Sequence, residues 1–118
     1  MSQAELSMVV RKVSADASVI DIRGEVNASA DNAFTDAYSQ ASSDKVRAII
    51  LNFSGLEYMN SSGIGLLVTL LIRANRNGQS LIAVGLNEHY QHIFELTRLN
   101  EAIRVFETEE EALAGLDS

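Results

Sequence analysis

The residues best suited to chemistry in this chain lie in one stretch, Tyr58-Met59-Asn60-Ser61-Ser62-Gly63-Ile64-Gly65. It holds two adjacent serine hydroxyls. Asn60, Ser61 and Ser62 all carry side-chain oxygens that suit the free N–H groups at the start of a helix. Gly63 and Gly65 strip side chains from the first turn, so a backbone or a bulky group could approach closely there. Two glycines inside a helix each cost roughly 0.5–1 kcal/mol relative to alanine, which points to a packing or a functional requirement without saying which. A well-capped helix with glycines packed on a sheet fits the same residues.

Enzymatic uses of this stretch fail on spacing. The G-x-x-x-x-G-K-[ST] loop is absent, and the bases nearest the turn are Arg47 and Arg73. Gly63-x-Gly65 runs on into Leu66, Leu67 and Val68 with no third glycine, so the dinucleotide fingerprint is missing as well. A nucleophilic Ser61 or Ser62 would need a histidine base, and the chain offers only His89 and His92. The G-x-S-x-G elbow is missing. His89 and His92 could ligate a metal with Glu88 or Glu95, but two histidines alone make a poor site. The expectation is a chain that is not an enzyme and carries neither cofactor nor metal.

The elements that must position this stretch follow from periodicity. Leu6–Val13 and Ser18–Arg23 read as strands separated by four residues, hence an antiparallel hairpin, after which Gly24 punctuates the chain. Ser29 is placed to cap a helix with Asp31 in its first turn and an apolar stripe of Ala33, Phe34, Ala37, Tyr38 and Ala41; Ser42, Ser43 and Asp44 end it. Ala48–Phe53 and Ser80–Val84 are continuous apolar runs, the mark of strands covered on both faces. Between them Ser62–Asn77 predicts a helix that stops at Asn77-Gly78. Asn87 caps another helix running to about Thr97, with Tyr90, Ile93, Phe94 and Thr97 on one side. Ile103–Phe106 is a last short strand, and Thr108 and Glu111 form a capping box before Ala112, Leu113 and Leu116. The order ββαβαβαβα implies an α/β domain: a small, mostly parallel sheet with one antiparallel edge strand, flanked by helices.

In the central helix, Ile64, Leu66, Leu67, Val68, Leu70, Leu71 and Ile72 cover nearly the whole circumference. One side must cover the sheet; the rest is a second buried face or an exposed patch of the kind that marks interaction sites.

Composition bounds the rest. With 118 residues, the chain suits one domain, with its core at about 5–116. It has no cysteine, which excludes disulfides, thiol catalysis and thiolate metal sites. The longest apolar run, Ile64–Ile72, is far short of the roughly 20 residues that cross a bilayer, and polar residues follow Met1, so neither membrane insertion nor a secretory signal is expected. The net charge is −7, but Glu107, Glu109, Glu110, Glu111 and Asp117, with no base among them, place −5 of it in residues 107–118 and leave −2 for the other 106. This balance argues against nucleic acid as a partner. The expected setting is cytoplasmic.

Asn60-Ser61-Ser62-Gly63-Ile64-Gly65, after the strand Ala48–Phe53, resembles the D-S-[ST]-G-[LI]-G motif of the STAS domain family. The similarity is greatest to the stand-alone bacterial anti-sigma-factor antagonists. Gly24-Glu25-Val26-Asn27 looks like the family's G-E-[LIV]-D, and Phe94-Glu95-Leu96-Thr97-Arg98-Leu99 like its L-F-x-x-[ST]-G-L stretch. Glu109-Glu110-Glu111-Ala112-Leu113 looks like the usual acidic opening of the last helix.

The resemblance implies partner switching in transcription regulation. The unmodified antagonist binds a histidine-kinase-like, ATP-dependent serine kinase that otherwise holds a sigma factor. The kinase phosphorylates the residue matching Ser61, and a serine phosphatase restores it. Asn60, Ser61, Ser62, Gly63, Gly65, Gly24 and Glu25 are then the partner-binding positions of a monomer or weak dimer. Two positions depart from the family pattern: Asn60 stands where aspartate is usual, and Arg98 where glycine is. Relatives without the aspartate serve as scaffolds or transporter-associated modules, and that alternative stands beside the switch.

Overall fold

The computed structural model describes residues 5–43 and 45–116. Its elements are β1 (Ser7–Lys12), β2 (Ala17–Val26), α1 (Asp31–Ala41), β3 (Ala48–Met59), α2 (Ser61–Arg76), β4 (Ser80–Val84), α3 (Glu88–Leu96), β5 (Arg104–Phe106) and α4 (Glu109–Leu116), with single 3-10 turns at Ala28–Ala30 and Leu99–Glu101. The sheet order is β1-β2-β3-β4-β5; β1 pairs antiparallel with β2, and β2 to β5 are parallel. The element order and the antiparallel edge strand are those read from the sequence.

Because β2 to β5 lie side by side in chain order, each crossover steps the same way along the sheet, and crossovers of one hand put their helices on one face. That face carries the larger core, with Phe34 of α1, Leu67 and Leu71 of α2 and Phe94 of α3 packed on Ile20, Ile22, Ile49 and Leu51. The opposite face holds Val19, Ile50, Ile82 and Val84 beneath Ala112, Leu113 and Leu116 of α4. Strands covered on both sides need apolar residues at successive positions, and Ala48–Leu51 are all fully buried.

Several boundaries depart from the sequence reading, each for a local reason. β2 does not stop before Gly24: it passes through that residue at φ 90° and continues to Val26. β3 runs beyond Phe53 to Met59, where β2 alone pairs with it. Two register shifts against β2 accommodate extra residues on β3, at Asp21/Arg23 and at Gly24/Glu25. At the first, Asn52 Oδ1 accepts the Ser54 N–H at 2.9 Å. Ser29 does not cap α1. Asn27 caps the 3-10 turn before it, its Oδ1 accepting from Ser29 N, and α1 follows from Ala30 with no side-chain cap. Ser42 is the C-cap of α1, while Asp44 lies outside the described residues. After α3, Arg98 takes the left-handed conformation (φ 62°) where the family pattern has glycine, at a cost of about 1–2 kcal/mol for an L-residue.

The capping box before α4 forms with one variation. Thr108 Oγ1 accepts from Glu111 N at 3.2 Å, and Glu111 Oε1 accepts the N–H of Glu107, one residue before the cap.

Candidate functional site

The serine-bearing stretch forms the junction between β3 and α2. Asn60 is extended (φ −91°, ψ −177°), and its Oδ1 accepts the Gly63 N–H at 3.0 Å, while its carbonyl accepts from Ile64 N at 3.1 Å. Of the three residues suited to capping, Asn60 alone is the cap, and α2 starts one residue earlier than the spacing predicted. Ser61 and Ser62 are therefore the first two helical residues, both exposed. Their hydroxyls stand where the unpaired N–H groups and the positive end of the helix dipole lie. The departure from aspartate leaves the turn intact, because the amide oxygen supplies the cap without a charge.

The two glycines differ in kind. Gly63 is buried against β2: a Cβ there would lie 2.7 Å from Met59 Cγ, 2.8 Å from the Val26 carbonyl oxygen and 2.9 Å from Val26 Cγ1. The fold requires that glycine. A Cβ on Gly65 would meet nothing within 4 Å, and the residue is exposed. Among the described residues, none stands close enough to require that one. Ser61, Gly65, Val68 and Ile72 recur at offsets of 0, 4, 7 and 11, one stripe along α2. Val68 is 38% and Ile72 52% exposed, whereas Leu67, Leu70 and Leu71 are buried. The apolar circumference thus resolves into a core face and an outward stripe with Ser61 at its head.

Gly24 and Glu25 lie beside the same junction. Gly24 pairs with Leu56, Glu25 with Tyr58 and Val26 with Met59, and the Asn60 N–H donates to the Val26 carbonyl at 3.2 Å. Glu25 accepts from Asn27 Nδ2 at 3.0 Å. All seven candidate positions therefore belong to one end of the sheet. The sequence reading put Tyr58 at the head of the serine-bearing stretch and Tyr90 on the apolar side of its helix, but gave neither a role at this junction. Tyr58 is 52% exposed at the end of β3, and Tyr90 of α3, buried, accepts the Met59 N–H on its hydroxyl at 2.8 Å. Neither is signalled by a motif; the long range of the Tyr90 contact hides it from any local pattern.

His89 and His92 lie on the exposed side of α3, with His92 Nδ1 3.7 Å from Glu95 Oε1. Among the described residues no hydrogen bond joins either histidine to Ser61 or Ser62, and no group of three or more His, Cys, Asp or Glu could hold a metal ion. No helix of the described residues is long and apolar enough to cross a membrane.

This fold and junction define the class: residues 8–112 match the STAS domain model, and the chain belongs to the STAS domain family. Among curated proteins it is similar to the anti-sigma-B factor antagonist of Staphylococcus aureus (strain NCTC 8325 / PS 47), 34% identical over 64 residues that span 54% of this chain and 59% of that one. The match thus covers less than two thirds of that relative. Among solved structures, the anti-sigma factor antagonist SpoIIAA superposes in its unphosphorylated form (TM-score 0.71, 23% identity, 95% of this chain and 99% of that one). The phosphorylated form of the Bacillus SpoIIAA does so too (0.67, 24%, 93% and 99%). A sulfate transporter family protein from Wolinella succinogenes shares the same fold (0.75, 17%, 88% and 87%).

Proposed function

We propose that this chain is a non-enzymatic anti-sigma-factor antagonist of the cytoplasm, switched by phosphate on Ser61. In the unmodified form it binds a serine-kinase anti-sigma factor and frees the sigma factor; the kinase phosphorylates Ser61 and a serine phosphatase reverses the step. The observation that carries this reading is Gly65. A helical glycine with open space over it among the described residues costs stability without relieving a clash, which supports a bare backbone kept for a group from outside. It lies one turn from the exposed Ser61, at the head of the Val68 and Ile72 stripe.

The electrostatics favour local control. A phosphate adds about −1.5 to −2 charge at a helix N-terminus, where free N–H groups tolerate it, so the domain stays folded. In a partly apolar interface the same charge opposes binding through desolvation and repulsion. The relatives named for antagonism of anti-sigma factors, one solved in a phosphorylated form, support this choice.

The test is incubation with the cognate serine kinase and ATP, followed by intact-mass and peptide mapping. One phosphate on Ser61 is expected, with Ser62 unmodified; no phosphate, or phosphate elsewhere, overturns the reading. Asn60 favours the alternative of a scaffold or transporter-associated module, since a partner that reads a carboxylate before the serine finds none here. That role predicts no phosphate together with a stable homo-oligomer or a co-purifying transporter.

A further inference from the structure

From Phe53 onward, β3 overhangs the sheet. β4 pairs with it only as far as Asn52, so among the described residues the last part of β3 has β2 on one side and no strand on the other. An unpaired strand edge leading into a functional turn must be held by something else. α3 supplies it. The Tyr90 hydroxyl accepts the N–H of Met59, the last residue of β3, at 2.8 Å, and lies 3.5 Å from the Met59 carbonyl oxygen. Tyr90 is 3% exposed, and its ring lines a cleft of about 80 Å³ under the overhang with Phe53, Leu56 and Leu86.

Tyr90 is itself fixed from both directions. Asn87 caps α3 and accepts the Tyr90 N–H on its Oδ1 at 3.0 Å. Gly85, at φ 75°, lets the chain enter α3 against Ser54, where a Cβ would lie 2.4 Å from Ser54 Oγ. The next bonds along β3 belong to the serine turn: Asn60 N to Val26, Gly63 N to Asn60 Oδ1 and Ile64 N to the Asn60 carbonyl. One hydroxyl on α3 therefore fixes the backbone just ahead of Ser61.

We propose that Tyr90 is a positioning residue for phosphate transfer to Ser61, its hydroxyl holding the end of β3 so that the serine turn is presented in a single conformation. This rests on the switch reading above. In the transfer, Ser61 Oγ bonds to the γ-phosphorus of ATP, the bond to the bridging oxygen breaks and ADP leaves, and the serine proton passes to a base of the kinase. Such a step depends on near-attack geometry, which a loosened turn loses even when docking is unchanged.

The test compares Tyr90→Phe with Tyr38→Phe. Tyr38 is the control: it too is buried, and its hydroxyl bonds Gln79 and Asn77 at the other end of the sheet. Amide exchange is read at Met59, Asn60, Gly63 and Ile64, and phosphorylation with the histidine-kinase-like serine kinases of the same genome and ATP. Tyr90→Phe should speed exchange at these amides about tenfold and lower kcat about tenfold, the loss of one buried hydrogen bond, with KM within about twofold. Tyr38→Phe should do neither. Asn87→Ala, which loosens the turn carrying Tyr90 but keeps its hydroxyl, should give a smaller change of the same sign. Unchanged exchange or unchanged kcat in Tyr90→Phe, or an equal effect in Tyr38→Phe, overturns the proposal. A wild type that takes no phosphate from any of these kinases overturns the switch reading, while the exchange ratio still decides whether Tyr90 holds the turn.

Discussion

At the scale of single residues, the two glycines of the serine turn separate what the fold needs from what the proposed partner would need. Gly63→Ala drives a Cβ into the Val26 backbone and Met59, an overpacking that costs about 1–3 kcal/mol. Gly65→Ala meets open space and should raise stability by about 0.5–1 kcal/mol while weakening kinase binding. Denaturant unfolding of both variants with a binding titration checks the pair; a stabilised Gly65→Ala that binds as the wild type does would remove the argument for an external requirement. The sequence made both glycines conspicuous but could not tell them apart, because the difference lies in Val26, a residue of β2 far away in the chain. The same holds for Asn60, Ser61 and Ser62. Their types announced a helix start, yet only the extended backbone of Asn60 decides which of them is the cap and which two are left exposed.

At the scale of elements, α4 shows how a short helix is held to the second face of the sheet. It contributes one fully buried residue, Ala112, and a polar clip completes the attachment. Arg11 of β1 pairs with Asp21 of β2 (Nε to Oδ2, 2.5 Å) and with Glu109 of α4, while Asn52 of β3 donates to Asp21 at 3.0 Å and to Glu109 at 3.3 Å. The bond from Arg11 holds the Asp21 carboxyl below the usual carboxylate range, opposed by desolvation and assisted by Asn52. A carboxyl depressed in the folded state contributes stability that is complete above its unfolded value, near 4, and is lost as pH falls through the folded one. Asp21→Asn should therefore melt below the wild type at neutral pH, and the two should converge as pH drops below about 4. Thermal melts across that range test this; a constant difference would show that the clip is not ionic. Strand and helix order was legible because apolar runs and caps are local signals. The overhang of β3 was not, because Ser54 to Tyr58 pair through two register shifts that break any alternation.

At the scale of the whole molecule, the net charge of −7 reads differently once the acidic end is placed. Glu109 belongs to the clip, Glu111 to the capping box, and the first turn of α4 carries Glu109, Glu110 and Glu111 against its positive dipole end. Local demands of the fold account for these charges. What remains around the serine turn is a surface of two exposed hydroxyls, a bare helix backbone, the exposed Val68 and Ile72 and the carboxylates of Glu25 and Glu57, on which one added phosphate is a large perturbation. The measurement that meets this most directly is titration of the serine-kinase partner with the unmodified protein, the Ser61-phosphorylated protein and Ser61→Asp, alongside their melting temperatures. The phosphorylated form should bind at least about tenfold more weakly, with Ser61→Asp between the two and all three melting within about 2 °C of one another. Equal affinity of the modified and unmodified forms would contradict the switch.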